Sequence, residues 1–160
     1  MQRECYRFGG VTFAIEADAP IERSQMCAPF HAADGAAEHT IRLHFDDRLP
    51  VPPETAKNRG AVWRWQSGAE RHLLEQYGAP GKPPQFTYAV TCGAHTELTF
   101  ANAYRAGASV RAVLEAAGLF DIFAARGMLV LHSAYIVART GEAILFSGPS
   151  GVGKSTQAAL

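Results

Sequence analysis

Two hydrophobic periods divide the chain. Val11, Phe13 and Ile15 alternate with Thr12, Ala14 and Glu16, and Ile41, Leu43 and Phe45 alternate with Arg42, His44 and Asp46. Successive side chains of a strand point to opposite faces, so both segments predict strands with one buried face. Ala61–Trp65, Gln85–Val90 and Thr96–Phe100 are rich in β-branched and aromatic residues and predict three more, which an antiparallel meander accommodates. Between them, Ala28–Glu38 is poor in large apolar residues and Leu49–Pro53 is broken by prolines, so both predict loops.

The period then lengthens. Val110, Val113, Leu114, Ala117, Phe120 and Ala124 fall near one face at helical spacing, with Arg111, Glu115 and Asp121 elsewhere. That pattern predicts an amphipathic helix over Ser109–Ala125, with Gly118 a point of division and Gly127 its end. Met128–Arg139 predicts a long apolar strand, Thr140-Gly141-Glu142 a turn, and Ala143–Ser147 a second, buried strand. The pattern as a whole predicts a mixed α/β chain, with a β-rich leader over residues 1–105 and a second part over 106–160.

Composition narrows the classes of function. At 160 residues with 48% hydrophobic content, the chain can bury one sizeable core. Lys plus Arg and Asp plus Glu each number 15, so no basic surplus points to nucleic acid or an acidic membrane. Cys5, Cys27 and Cys92 are odd in number and widely spaced, which fits reduced thiols better than a disulfide framework. Charges at Arg3, Glu4 and Arg7 occupy the place of a signal peptide's apolar stretch, and Met128–Ala138 is far short of the roughly 20 residues of a bilayer span. A cytoplasmic protein without membrane partners is expected. The aromatic residues Trp63, Trp65, Tyr77, Phe86, Tyr88 and Phe100 could stack on bases, but without a basic surface they read as filling or covering a sheet.

Candidate chemistry lies near the end of the chain. Gly148-Pro149-Ser150-Gly151-Val152-Gly153-Lys154-Ser155 matches the phosphate-loop pattern G-x-x-x-x-G-K-[ST] at every fixed position, between a predicted strand and a predicted helix start. Glycines at 148, 151 and 153 let the backbone turn sharply and aim N–H groups inward at an anion. In that pattern Lys154 reaches the β- and γ-phosphates of a nucleotide, and the Ser155 hydroxyl takes one position on the bridging Mg²⁺. Thr156 adds a second hydroxyl. ATP with Mg²⁺ is therefore the expected ligand.

His132 stands in the predicted strand ahead of the loop, where a lone histidine is more often a hydrogen-bonded core residue than a catalytic one. Taken together, however, the segment from Leu131 to Thr156 resembles the nucleotide-binding core of HPr kinase/phosphorylase and its HPr-kinase-like relatives: a histidine-bearing strand, a tight turn, a second strand and the phosphate loop. The resemblance is sharp over residues 127–160. It is looser over Tyr6–Phe13 and His39–Leu43, which look like the β-rich leader of the uncharacterised relatives. It implies a fold akin to phosphoenolpyruvate carboxykinase and transfer of the ATP γ-phosphoryl to a hydroxyl. It also implies that Lys154 and Ser155 hold phosphate and Mg²⁺, with His132 the active-site histidine. Thr156 stands where the HPr-acting enzyme commonly has an acidic residue, so the acceptor is open among protein, peptide and small molecule. A homo-oligomer is compatible with the resemblance.

In this family the metal-binding carboxylates follow the loop, and seven residues follow Gly153 here. The expectation is that the chain is the amino-terminal part of a longer kinase-like protein, with little transferase activity by itself. Two alternatives stand beside it. Gly141–Leu145 followed by the loop also looks like the start of an ABC-type ATPase domain, although the 147 residues before Gly148 argue against that. A non-catalytic nucleotide-sensing or partner-binding module is the other.

Overall fold

The computed structural model describes residues 2–33, 35–77, 85–131 and 133–158. Nine strands form one sheet: β1 (Gln2–Phe8), β2 (Val11–Ala17), β3 (His31–Ala32), β4 (His39–Phe45), β5 (Lys57–Arg59), β6 (Val62–Ser67), β7 (Glu70–Tyr77), β8 (Gln85–Cys92) and β9 (His95–Phe100). Their order across the sheet is β3-β1-β2-β4-β9-β8-β7-β6-β5. Helices α1 (Val110–Ala116) and α2 (Leu119–Ala124) follow, then a hairpin of β10 (Ser133–Val137) and β11 (Ala143–Ser147), and α3 (Lys154–Ala158). The protein is thus mixed α and β, with a large sheet and few helices. Contacts divide the chain into two units, Met1–Leu119 and Phe120–Leu160.

The first unit is not a pure meander. β4 runs parallel to both β2 and β9, whereas the other neighbours are antiparallel. A parallel neighbour needs a long connection rather than a tight turn. Residues 18–38 supply one between β2 and β4, and the strands β5 to β8 supply the other between β4 and β9. The segment expected as a loop at Ala28–Glu38 also contributes β3, which pairs with Cys5 and Tyr6 of β1.

One face of the sheet carries the apolar half of the alternation. Phe13, Ile15, Ile41, Leu43 and Leu98 are each 0–1% exposed. The opposite face of the same strands carries charges of alternating sign in register. Arg3 pairs with Glu16 at 3.6 Å, Glu16 with Arg42 at 3.4 Å, and Arg42 with Glu97 at 3.2 Å. Such opposite-charge neighbours support strand pairing on a solvated face.

Glu4 breaks the pattern by lying on the apolar face, only 6% exposed. Its carboxylate accepts hydrogen bonds from Tyr6 Oη at 2.6 Å, Gln2 Nε2 at 2.7 Å and Arg23 Nε at 3.0 Å. Burial works to raise its pKa, and these donors outweigh burial and hold it below the ordinary value. A buried chain of Thr91, Thr96 and His39 hydroxyl and imidazole groups is likewise internally bonded, at 2.9 and 2.8 Å.

The aromatic residues of the middle strands cover the sheet. Phe86 is fully buried with Leu74 and Ala101, and Trp63, Trp65 and Tyr88 pack against that cluster. Trp65 and His72 stack in parallel with centroids 4.8 Å apart, and the Tyr88 hydroxyl meets His72 Nδ1 at 2.8 Å. Tyr77 is the exception at 47% exposed.

The expected helix is divided at Gly118, whose φ of 73° lies in the left-handed region that glycine enters without steric cost. Ser109 caps α1 by accepting a hydrogen bond from Ala112 N at 3.2 Å. In the second unit, the long strand expected over Met128–Arg139 is confined to β10. β11 pairs residue for residue with Ser133–Val137, so Met128–Leu131 have no partner in that ladder.

Candidate phosphate-binding site

β11 delivers the chain to Gly148, and α3 begins at Lys154. The strand is not buried as expected: Ile144 and Leu145 are 48% and 51% exposed. Within the unit, β10 and α3 pack on it.

Between strand and helix the backbone alternates. Gly151 and Gly153 have φ of 81° and 87°, while the intervening Val152 has negative φ, as do all described non-glycine residues. Alternation of left- and right-handed residues turns successive N–H groups toward one concave side, the arrangement that binds anions. Gly148 is closely packed for a different reason. A Cβ there would meet Val152 Cγ1 at 3.1 Å, so the loop is folded tightly on its own first residue.

Lys154 closes the loop. Its ammonium donates to the Gly148 carbonyl at 3.0 Å and to the Pro149 carbonyl at 2.9 Å. An ammonium has three N–H donors, so these two bonds brace the side chain and leave one donor for an anion. The first helical turn is set by Gln157 N donating to Gly153 O at 3.0 Å. Ser155 and Thr156 lie at the start of α3 and are exposed, as are Pro149 and Ser150. The structure therefore brings Gly148, Pro149, Gly151, Val152, Gly153 and Lys154 into one closed loop with the two hydroxyls beside it. His132 lies outside the described residues.

The bracing role of the Gly148 and Pro149 carbonyls is not visible in the motif, which specifies residue types and not acceptors. Glu142, the acidic residue of the hairpin, accepts from Thr140 Oγ1 at 3.0 Å at the far end of β11. Five strand residues separate it from the loop, a distance of about 17 Å. Among the described residues no group of three or more His, Cys, Asp or Glu side chains could hold a metal ion. No helix of the described residues is long and apolar enough to cross a membrane. Cys5 and Cys27 are buried, and Cys92 is exposed.

No protein-family model, no curated protein and no solved structure matches the chain.

Proposed function

We propose that residues 148–156 bind the phosphates of ATP together with Mg²⁺, and that they are the phosphate site of an HPr-kinase-like phosphotransferase acting on a hydroxyl, with little transfer by this chain alone. The observation that carries the first half is the Lys154 clasp. An ammonium held by two loop carbonyls, with one donor to spare above alternating glycines, is a cradle for a compact anion.

The donor set fits such a ligand. Backbone N–H groups and Lys154 would hold phosphate oxygens, and the Ser155 hydroxyl would be one oxygen ligand of the metal. When bound, Mg-ATP supplies the phosphoryl group, with its metal neutralising charge on the phosphates. The second half is supported by order along the chain: His132 directly precedes β10, and the hairpin leads from it into the loop.

Calorimetric titration with Mg-ATP tests the binding half. Saturable binding that weakens roughly tenfold or more in Lys154→Ala is expected, and no heat of binding in the wild-type chain defeats the reading. Transfer is tested with γ-labelled ATP and a mixture of seryl peptides. Slow labelling of peptide, far below about one turnover per minute, that disappears in His132→Ala with Mg-ATP binding retained supports the phosphotransferase. Binding with hydrolysis to free phosphate alone refutes it.

A further inference from the structure

We propose that His72 is a pH-sensitive switch: taking up a proton turns its idle ring nitrogen into a donor that holds Glu70 and fixes the turn between β6 and β7. The switch belongs to the first unit and stands independently of the phosphate loop.

Strand register assembles the group. Trp65 of β6 is directly opposite His72 of β7, and side chains so paired share a face. The two rings are nearly parallel, 4° apart in plane with centroids separated by 4.8 Å. Tyr88 of β8 adds a third ring, inclined 18° to the imidazole, with its hydroxyl 2.8 Å from Nδ1. These neighbours leave the His72 side chain 9% exposed. Glu70 precedes it by two residues on the same strand, and so shares its face, with 52% of its side chain exposed.

The two ring nitrogens are unequally served. Nδ1 meets Tyr88, whereas Nε2 is buried and makes no hydrogen bond, although Glu70 Oε2 is 3.5 Å away. That separation is wider than the roughly 2.7–2.9 Å of a charge-assisted hydrogen bond. A neutral imidazole has one donor and one acceptor. With its proton on Nδ1, the lone pair of Nε2 faces a carboxylate; with its proton on Nε2, the ring offers Glu70 no charge. A second proton makes both nitrogens donors, Nδ1 to the Tyr88 oxygen and Nε2 to Glu70. The indole face of Trp65 then lies against a cation, inside the roughly 6 Å of cation–π attraction. Desolvation opposes charge on a buried ring, so the carboxylate beside it decides whether the proton is held.

Among the described residues, the neighbouring charges are engaged elsewhere or face away. Val90 separates His72 from Glu97 along the register, and the Glu97 carboxylate is paired with Arg42 and His44. Arg64 and Arg71 precede Trp65 and His72 by one residue and so project from the opposite face. In the segment after β4, Leu49 packs on the cluster of Leu74 and Phe86, Asp46 pairs with Arg48, and Asp47 accepts from Asn102. Tyr88 and Tyr104 stay phenols, because burial first and then the charges of Glu70 and Glu75 raise them above the ordinary value.

The turn is what the switch holds. Ser67 and Glu70 are the last paired residues before Gly68 and Ala69, and Gly68 turns the chain at a φ of 58°. A bond from Nε2 to Glu70 therefore ties the base of this turn to the aromatic stack.

The test follows tryptophan emission of the full chain between about pH 8 and pH 5, in a Trp63→Phe background that leaves Trp65 as the reporter. An imidazolium stacked on indole quenches it, so emission should fall along a one-proton curve. Glu70→Gln keeps the side chain's size and removes its charge, and it should move the midpoint about one unit to lower pH. His72→Gln should abolish the transition, and His44→Gln, a change to an exposed imidazole of the same face, should leave it in place. Protection of the amides of residues 67–70 should rise at the acid end in the wild type and not in Glu70→Gln. Circular dichroism melting shows whether each variant is folded, and imidazole nitrogen shifts of the wild-type chain read the same proton without any change at Trp63. An unchanged midpoint in Glu70→Gln, a transition that survives His72→Gln, or emission and nitrogen shifts that stay flat across the range overturns the proposal.

Discussion

Lys154 Nζ lies 3.0 Å from the Gly148 carbonyl oxygen, so the last cation of the loop clasps its first residue. On the proposed reading the same ammonium serves structure and ligand. Lys154→Met keeps the length of the side chain and removes both bonds, and it should loosen the loop as well as lower anion affinity. Hydrogen exchange at the amides of residues 150–153 is expected to accelerate, while the melting temperature of the main sheet stays unchanged.

Gly151→Ala forces a side chain into a φ of 81°, a conformation costing roughly 1–2 kcal/mol for a residue with a Cβ. Gly148→Ala instead brings a methyl group 3.1 Å from Val152 Cγ1, an exposed side chain able to move aside. Nucleotide affinity should therefore fall more in Gly151→Ala. Val152→Ala should rescue Gly148→Ala but not Gly151→Ala, and a double-mutant cycle on binding measures the difference.

Glu4 provides the pH dependence. Its folded-state pKa is depressed below the ordinary 4.5, despite burial, by the Tyr6, Arg23 and Gln2 donors. A depressed carboxyl contributes stability that is fully present above the unfolded value and is lost as pH falls through the folded one. Melting temperature should thus drop below about pH 4.5, and Glu4→Gln should flatten that part of the curve. Tyr6→Phe leaves the carboxylate with one donor fewer in a buried position, for a cost of about 1–3 kcal/mol near neutral pH, read by urea denaturation.

Phe86→Ala removes a fully buried ring from the cluster with Leu74 and Ala101, and should destabilise the sheet by about 3–5 kcal/mol. Unfolding followed by tryptophan fluorescence is a direct readout, because Trp63 and Trp65 pack against the same cluster. Nucleotide binding by the second unit should survive at temperatures where the variant sheet remains folded.

Strands with one buried face were legible from their period of two. β2, β4, β8 and β9 lie where alternation or β-branched and aromatic content put them. β1 and β7 were not expected. In β1, Glu4, Cys5 and Tyr6 are all buried, so no alternation marks the strand, and Glu4 reads as a surface residue until its three donors are known. β7 mixes Glu70, Arg71 and His72 with Leu73 and Leu74, which are buried on opposite faces of the sheet.

At the phosphate loop the residue types are local, and so was the reading. Glycine spacing and the lysine follow from eight consecutive residues, because a tight anion-binding turn needs particular backbone freedom at particular steps. The sequence by itself therefore determined the loop, the amphipathic region broken at Gly118 and the strands with clean alternation. The tertiary structure decided the parallel placement of β4, the carbonyl partners of Lys154 and the burial of Glu4. The Lys154 partners lie five and six residues away and follow from how the loop folds on itself, whereas the place of β4 and the Arg23 donor to Glu4 depend on which distant segments become neighbours, and that is set by strand pairing and packing across the whole sheet rather than by any local pattern of residues.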